Sequence, residues 1–376
     1  MDGRRYIDRT ERYLSDEGAK LLASCTIPKN SVCVSCIGWQ LGKVVLATAA
    51  SFTNQQINSV IPYEIVDPLF LYYSLSTRRD EIRRLGSSGA RTPILNKSEF
   101  SRMNFDLPPL ETQRQIASIL SAYDDLIENN TRRIAILEEM ARALYQEWFV
   151  HFRFPGHEHV PLAASPLGPI PEGWEVRAAS EVLEVNPKIR SDKKALKAFV
   201  PMSGLSDHSM LVSGVQIKKT NSGARFQNGD TLLARITPCL ENGKTGYVDF
   251  LPLDSDVAHG STEFIVLRGR AVCHEFVYFL ARSDGFRDHA IKSMSGATGR
   301  QRVRNECFNT FYLAEPDQET MARFGIIVEP MFQAVLLFAK KNENLRATRD
   351  LLLPKLISGE IAVSALPEEP IAEAAD

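Results

Sequence analysis

Features of membrane and exported proteins are missing from this sequence. Its 376 residues include no apolar run near the ~18 residues that a membrane-spanning helix needs. The first six residues, Met-Asp-Gly-Arg-Arg-Tyr, lack the apolar segment of a signal peptide. We therefore expect a cytoplasmic protein with no membrane partner. With 44% apolar and 24% charged residues, the chain has an ordinary globular composition and enough length for two domains.

Cysteine is scarce and scattered. Of the six cysteines, only Cys33 and Cys36 form a C-x-x-C motif. No second pair supplies the remaining ligands of a structural zinc site. Because both lie in an apolar run typical of a strand, reduced thiols in a core are favoured over zinc or redox chemistry, and no metal site is predicted.

Catalytic signatures are missing as well. Gly243-Lys244-Thr245 resembles the end of a phosphate-binding loop, but Pro238 stands where that loop needs its first glycine. The sequence contains neither the Asn-Pro-Pro-Tyr/Phe motif of amino-methyltransferases nor a Gly-x-Ser-x-Gly motif. We predict no catalytic residue and no cofactor bound to this chain.

The chain also has no excess of positive charge. Its formal net charge of −2 gives weak support for nucleic-acid binding, because affinity for DNA comes mostly from phosphate contacts. Between residues 188 and 225, however, only Asp192 and Asp207 oppose a group of basic residues. This segment forms either a solvated charged surface or a surface that contacts phosphate. Its basic residues are Lys188, Arg190, Lys193, Lys194, Lys197, Lys218, Lys219 and Arg225.

An internal repeat is the strongest pattern that the sequence contains. Two segments, roughly residues 110–150 and 318–358, carry seam residues at alternating steps of four and three, the heptad pattern of a coiled coil. The first seam comprises Ile116, Leu120, Tyr123, Ile127, Asn130, Ile134, Leu137, Ala141, Leu144 and Trp148. Adding 208 to each number gives the second seam, which comprises Phe324, Val328, Met331, Val335, Phe338, Asn342, Leu345, Arg349, Leu352 and Leu356.

The two seams predict a pair of long helices. A helix of about 40 residues is about 60 Å long, and a single apolar stripe of this length would be unstable in water. An antiparallel pair that buries both stripes is plausible, because a globular segment separates the helices. Asn130 and Asn342 either fix the register of the pair or lie at solvated ends of an imperfect stripe. Pro330 should kink the second helix or delay its start, and Pro354 should loosen its last turn.

The segments that precede the helices match each other too. Their residue patterns predict strands and turns, so each repeat is expected to be an α+β part followed by one long helix. The first α+β part lacks roughly 30 residues that open the second, through a shortened N-terminus or a genuinely trimmed domain. The matching runs are 70–73 with 276–279, 30–37 with 229–236, 42–43 with 243–244, and 89–91 with 296–298.

Five motifs, at residues 53–55, 107–120, 140–150, 171–174 and 349–361, resemble those of one protein family, the specificity subunits of Type I restriction-modification systems. Residues 107–120, LPPLETQRQIASIL, resemble the opening of the conserved helix of these subunits, and residues 140–150, MARALYQEWFV, the end of their central conserved region. Pro171-Glu-Gly-Trp174 resembles the start of a target-recognition domain, and Thr53-Asn-Gln55 an element within one. Residues 349–361, RDLLLPKLISGEI, resemble the distal conserved region. The resemblance covers almost the whole chain in the order of the family.

The resemblance implies a role in DNA recognition. In this family two target-recognition domains each read half of a split DNA site, and two long antiparallel helices hold the domains apart. The expected partners are double-stranded DNA, two methyltransferase subunits around the helices, and restriction/translocase subunits that join for cleavage. S-adenosylmethionine, ATP and Mg²⁺ are expected on those partner subunits.

Together, the repeat and the resemblance predict an α+β fold in six segments. They are a shortened first target-recognition domain at 1–108, a central conserved helix at 109–150, a linker at 151–168, a second target-recognition domain at 169–316, a distal conserved helix at 317–359 and an acidic tail at 360–376.

Turns with hydrogen-bonding side chains are the candidate DNA contacts, because Arg, Lys, Asn and Gln can read base edges. The run from Gly296 to Arg302 is favoured, since its glycines allow close backbone approach. Each side chain could instead serve its own turn or be solvated. The candidates are Lys43, Asn54, Gln55, Arg91, Lys193, Lys194, Arg235, Lys244, Arg300, Gln301 and Arg302.

Large apolar residues near the helix ends are the candidate partner contacts. They are Trp148, Phe149, Leu352 and Leu356, which could instead close the seam within the chain. A different class of function also fits the near-neutral charge and the long seams. In that alternative, the chain is a coiled-coil scaffold whose globular parts bind proteins rather than DNA.

Overall fold

The computed structural model describes residues 4–86, 92–191, 195–220, 222–253, 256–296, 299 and 301–365. The chain forms two compact units. Unit 1 comprises residues 1–129 and 341–376, and unit 2 comprises residues 130–340. Each of the two long helices therefore contributes one part to each unit. The secondary structure is mixed α+β, in agreement with the predicted fold class.

The described residues form nine α-helices. They are α1 Asp16–Leu21, α2 Pro68–Thr77, α3 Arg79–Gly86, α4 Lys97–Phe100, α5 Leu110–Tyr145, α6 Ala179–Val182, α7 His274–Arg282, α8 Asp284–Lys292 and α9 Gln318–Ile357. The helices α5 and α9 are the two that the seams predict, and a π-helical turn, Gln146–Val150, extends α5.

The sequence predicted that both prolines would alter α9, but neither changes where the helix starts or ends. The helix begins at Gln318, so Pro330 does not delay its start. Pro330 and Ile326 are both exposed, so water can satisfy the Ile326 carbonyl that the proline leaves without an N–H donor. The last turn around Pro354 is also closed, because the Ser358 N–H donates to the Pro354 carbonyl at 3.0 Å.

Unit 1 contains one four-stranded sheet covered on both faces. Its strands are β1 Tyr6–Ile7, β2 Val32–Ser35, β3 Val44–Ala47 and β4 Ile57–Val60, in the order β1-β3-β2-β4. Only β1 pairs in parallel, with β3. Cys33 and Cys36 are buried in two different apolar clusters, as expected for core thiols and unlike two ligands of one site.

Unit 2 contains two four-stranded sheets with a core between them. The sheet orders are β10-β9-β14-β11 and β13-β12-β15-β8, and two short pairs, β16-β7 and β5-β6, flank them. The strands are β5 Leu162–Ala163, β6 Ile170–Pro171, β7 Glu175–Ala178, β8 Leu183–Val185, β9 Leu196–Val200, β10 Gln216–Lys219, β11 Ala224–Phe226, β12 Thr231–Ala234, β13 Thr245–Tyr247, β14 Ala258–Gly260, β15 Phe264–Gly269 and β16 Tyr312–Glu315.

The predicted seams follow the buried sides of the two long helices. All ten positions in α5 and its π-helical turn, and all ten in α9, are buried or half-buried. Asn130 and Asn342 are both buried, so they are not solvated ends of the stripes. In unit 1, Ile116 and Leu120 pack with Leu356. In unit 2, Trp148 packs with Phe324, with 5.8 Å between ring centroids.

Two motif residues attach the starts of the helices to the α+β parts. Near the start of α5, the buried Gln113 amide accepts from the Asp67 N–H at 2.9 Å and donates to the Ile65 carbonyl at 3.1 Å. At the start of α9, Trp174 donates its indole N–H to Asp317 at 3.1 Å. Asp317 also accepts from the Thr320 N–H at 2.9 Å and thereby caps the helix.

By length and composition, α9 could also cross a membrane, and it is the one such helix among the described residues. Its mean hydropathy reaches 1.5 over an 18-residue window. This is weak evidence for a membrane span, because Phe324, Val328 and Phe332 of the same helix lie in the core of unit 2.

Candidate nucleic-acid interface

In unit 2, four of the predicted DNA-contacting residues lie in one group of loops. The loop 235–244 joins β12 to β13, and the Ala234 N–H closes its base by donating to the Lys244 carbonyl at 3.1 Å. Segment 301–303 lies beside this loop, because the Val303 N–H donates to the Arg235 carbonyl at 2.9 Å. We call segments 235–244 and 301–303, with Glu263, loop cluster 2. It brings together Arg235, Lys244, Gln301 and Arg302.

Arg302 is half-exposed in loop cluster 2 and is held by an ion pair. Its Nε lies 2.9 Å from one Glu263 oxygen, and its Nη2 lies 2.6 Å from the other. The hydrogen bonds from Arg302 lower the pKa of the Glu263 carboxyl, so the pair stays charged at neutral pH. An arginine oriented in this way can present its remaining donors to a base edge or a phosphate.

Arg235 has a more structural role than the sequence predicts. Its Nη2 donates to the Val303 carbonyl at 2.5 Å, and its buried Nε has no hydrogen-bond partner among the described residues. The side chain therefore joins the two segments of loop cluster 2. Part of its guanidinium is thus committed inside the fold, and contact of Arg235 with DNA stays a prediction.

Unit 1 contains a corresponding group of loops. The loop 36–43 joins β2 to β3, and the Ser35 N–H closes its base by donating to the Lys43 carbonyl at 2.9 Å. Segment 93–95 lies beside it, because the Leu95 N–H donates to the Cys36 carbonyl at 2.9 Å. The turn 54–56 is attached through the Cys36 N–H, which donates to the Gln56 carbonyl at 2.8 Å. We call these three segments loop cluster 1.

The two loop clusters share one hydrogen-bonding pattern. The bond from Gly38 N–H to the Pro93 carbonyl corresponds to that from Thr237 N–H to the Gln301 carbonyl. An antiparallel bridge joins Ile37 to Ile94 in cluster 1 and Ile236 to Arg302 in cluster 2. In both loops the glycine before the lysine has a positive φ, 82° at Gly42 and 75° at Gly243. The structure thus makes Lys43 equivalent to Lys244, and Ile94 equivalent to Arg302.

Asn54 and Gln55 are both exposed in loop cluster 1, but they differ in their local role. The Asn54 side-chain oxygen accepts from the Gln56 N–H at 3.0 Å and so stabilises its own turn. The Gln55 backbone carbonyl accepts from the Cys36 thiol at 3.4 Å, and Gln55 is exposed. The Asn54 side chain therefore serves its own turn, and Gln55 is the better candidate for a base contact.

Among the described residues of the basic segment 188–225, three basic side chains are engaged in contacts within unit 2. Lys197 is buried, with its Nζ 3.4 Å from the Thr220 carbonyl. Arg225 donates to the Ile189 carbonyl at 2.9 Å, and the Lys218 ammonium lies 3.2 Å from the centroid of the Phe199 ring. These three side chains serve the fold of unit 2. Four predicted contacts, Arg91, Lys193, Lys194 and Arg300, lie outside the described residues.

The predicted partner contacts are only partly accessible. Trp148 is buried in the core of unit 2 and Leu356 in unit 1, which corrects their assignment as docking residues. Phe149 and Leu352 are half-buried, and the Phe149 ring lies 4.8 Å from that of Phe324. Closure of the apolar seam within the chain explains these side chains better than contact with a partner.

Three residues of the loop clusters escaped the sequence analysis. Glu263 was missed because its partner Arg302 is distant in sequence, and Ile94 because it carries no hydrogen-bonding group. Trp39 was missed although it lies between two runs, 30–37 and 42–43, that match the second repeat. Its 90% exposure is visible only in the structure.

Comparisons with known proteins find similarity to specificity subunits of Type I restriction enzymes. Residues 5–139 match the family described as the Type I restriction modification DNA specificity domain. The chain is similar to the specificity subunit of the Type I restriction enzyme MjaIX from Methanocaldococcus jannaschii, with 26% identity over 96% of this chain and 84% of the relative. It is also similar to the specificity subunit of the Type I restriction enzyme HindI from Haemophilus influenzae, with 24% identity over 85% of this chain and 82% of the relative.

A solved structure has the same fold. The S subunit of a Type I restriction-modification system from M. genitalium matches 88% of this chain, and 83% of that chain, with a TM-score of 0.54 and 15% identity. At this identity the likeness concerns the fold alone. The sequence relatives confirm the predicted resemblance, and the chain is related over almost its whole length to Type I restriction enzyme specificity subunits.

Proposed function

We propose that this chain selects the DNA sequence on which a Type I restriction-modification complex acts. Loop cluster 1 would read one half of a split site and loop cluster 2 the other half. The recurrence of one loop arrangement in both units carries this proposal, because a split site needs two readers of similar construction. Each cluster has a lysine at its base, and amide or guanidinium groups beside it that can pair with base edges.

The two long helices would form an antiparallel coiled coil between two recognition domains. The contacts inside each unit support this, since Asp124 of α5 bonds Arg349 of α9 in unit 1. In unit 2, the Arg133 guanidinium lies 5.4 Å from the centroid of the Phe338 ring. Residues farther along α5 thus contact residues earlier in α9. A pair of this kind would set the spacing between the half-sites as a fixed length.

The remaining functions of the complex would belong to other subunits. Two methyltransferase subunits would bind this chain, with restriction/translocase subunits joining for cleavage, and S-adenosylmethionine, ATP and Mg²⁺ would be bound there. Within the described ranges, no cluster of three or more His, Cys, Asp or Glu residues is placed to hold a metal ion. A complex that modifies the chromosome would work in the cytoplasm.

Arg302→Ala tests the proposal at loop cluster 2. The substitution should lower the preference for the target over a scrambled second half-site by about 1–3 kcal/mol, the contribution of one good bidentate base contact. Binding should be measured by fluorescence anisotropy at one fixed salt concentration, in the complex with the methyltransferase subunit. The target would come from methylome sequencing of cells that express the complex.

Arg177→Ala is the matched control. Arg177 lies in unit 2, is 47% exposed where Arg302 is 48% exposed, and also forms ion pairs with glutamates. Its loss removes the same charge from a position outside both loop clusters. Equal losses of discrimination from the two variants would mean that overall charge, rather than a base contact at loop cluster 2, governs binding.

The composition and activity of the complex provide a second test. Light scattering of the co-expressed complex should give two methyltransferase subunits per chain. The purified chain alone should neither methylate nor cut DNA in the presence of S-adenosylmethionine, Mg²⁺ and ATP, because it carries no motif for either reaction. Reproducible methyl transfer by the chain alone, or the absence of any partner on co-expression, would contradict the proposed role.

A further inference from the structure

Trp39 is the most exposed large apolar side chain of the described residues. It is 90% exposed, whereas the other two tryptophans of the chain, Trp148 and Trp174, are 4% and 6% exposed. Full hydration of an indole forgoes one of the largest apolar contributions that a side chain can make to folding. An indole in this position is available for burial against a partner.

The backbone that carries Trp39 is firmly held. Leu41 is buried beneath the loop, and its N–H donates to the Gly38 carbonyl at 3.1 Å. The Ser35 hydroxyl donates to the Gln40 carbonyl at 2.5 Å, and Gly38 adopts a φ of 76° that suits glycine. The exposure of Trp39 therefore comes from an ordered turn, and the side chain loses little backbone entropy when it binds.

Trp39 lies within loop cluster 1 and has an apolar neighbour there. The Gly38 N–H donates to the Pro93 carbonyl at 2.9 Å, which places the turn beside the half-exposed Ile94. Lys43 closes the same loop, and the Asn54–Gln56 turn is attached to Cys36 at its start. A lysine, amide groups and an exposed apolar group are thus presented together.

The equivalent positions of loop cluster 2 are chemically different. Arg302 stands where loop cluster 1 has Ile94, and the loop contains Pro238 in the region where loop 36–43 contains Trp39. The same scaffold therefore presents a guanidinium in unit 2 and apolar groups in unit 1. Guanine is read by guanidinium donors, whereas the 5-methyl group of thymine is the apolar feature of the major groove.

We propose that Trp39 is a specificity-determining residue that contacts a thymine methyl group in the major groove of one half-site. This inference rests on the proposed function. Lys43 and Gln55 position the loop on the duplex through polar contacts, and the indole excludes water from the methyl group. A base without that methyl group leaves part of the indole hydrated, so the contact discriminates between bases without a hydrogen bond.

Trp39→Ala should lower the affinity of the complex for its target by about tenfold, because the apolar surface of the indole would no longer be buried against the DNA. The loss should disappear when only the half-site read by loop cluster 1 is scrambled. Trp39→Phe should retain part of the affinity. Tyr63→Ala is the matched control. Tyr63 is also highly exposed in unit 1, but it follows the C-terminal end of β4, whereas the turn of loop cluster 1 precedes that strand. The Tyr63→Ala complex should bind the target as the unsubstituted complex does.

Duplexes with deoxyuridine in place of thymidine test the methyl contact itself. In the same half-site, the replacement should weaken binding of the unsubstituted complex by about fourfold per contacted methyl group and leave Trp39→Ala unaffected. Equal weakening in both proteins would overturn the assigned contact. Acrylamide quenching offers an independent measurement, since the difference in emission between the unsubstituted and Trp39→Phe complexes isolates Trp39, which should be protected by target DNA.

The outcomes separate this inference from the proposed function. A complex with no sequence preference at either half-site would contradict the proposed function as a whole. A complex that discriminates at both half-sites, but in which Trp39→Ala behaves as Tyr63→Ala does, would overturn the inference alone.

Discussion

Leu345→Asp is expected to lower the free energy of unfolding by about 3–5 kcal/mol, the effect of an uncompensated charge in a buried position. Leu345 lies in the seam of α9 and is 6% exposed. An aspartate there would lose its hydration without gaining a cation, and the apolar contacts of the leucine would be lost as well. Urea unfolding followed by circular dichroism at 222 nm, a wavelength sensitive to helix, measures the change.

Leu351→Asp is the matched control for this substitution. Leu351 lies in the same helix and the same unit, but it is 69% exposed. An aspartate there remains hydrated, so stability should change by less than about 1 kcal/mol. Similar losses from both variants would show that the helix itself tolerates aspartate poorly, and the seam would then not be the source of the effect.

Asp124→Ala is expected to lower the free energy of unfolding by about 2–4 kcal/mol. Asp124 accepts hydrogen bonds from Arg349 and from the Tyr73 hydroxyl, the latter at 2.6 Å. Burial, and then the charge of Asp124, raise the pKa of Tyr73, so its hydroxyl remains a donor. The substitution would leave the half-buried Arg349 guanidinium with only the exposed Asp350 as a counterion, which costs more than the pair with Asp124 contributed. Urea unfolding again measures the change.

Two further variants test this explanation. Asp350 also binds Arg349, at 2.8 Å, but it is 61% exposed, so Asp350→Ala should cost less than about 1 kcal/mol. The double variant Asp124→Leu/Arg349→Leu removes both charges together and should recover much of the stability. A double variant no more stable than Asp124→Ala would assign the loss to packing or to Tyr73, and not to the missing Asp124 counterion.

The two long helices and the repeat could be predicted because their signals are local and periodic. A seam that repeats every seven residues requires one side of a helix to be buried, whatever it packs against. All twenty seam positions accordingly avoid full exposure. The repeat also aligned Lys43 with Lys244 correctly, because the same strand, turn and glycine recur in both α+β parts. The sequence by itself therefore determined the helices, the α+β class, the family resemblance and the approximate positions of the two loop clusters.

Only the tertiary structure decided which of the candidate side chains are exposed and how they are paired. Arg349 interrupts the apolar pattern of the α9 seam. Its presence there is explained only by the fold, which places Asp124, more than two hundred positions away, against it. Trp148 and Trp39 both lie in or beside segments that recur in the two repeats, yet Trp148 is buried in a core and Trp39 is exposed to solvent. Arg302 has its orientation from Glu263. Periodicity specifies which side of an element is covered, whereas exposure and pairing depend on segments that only the folded chain brings together.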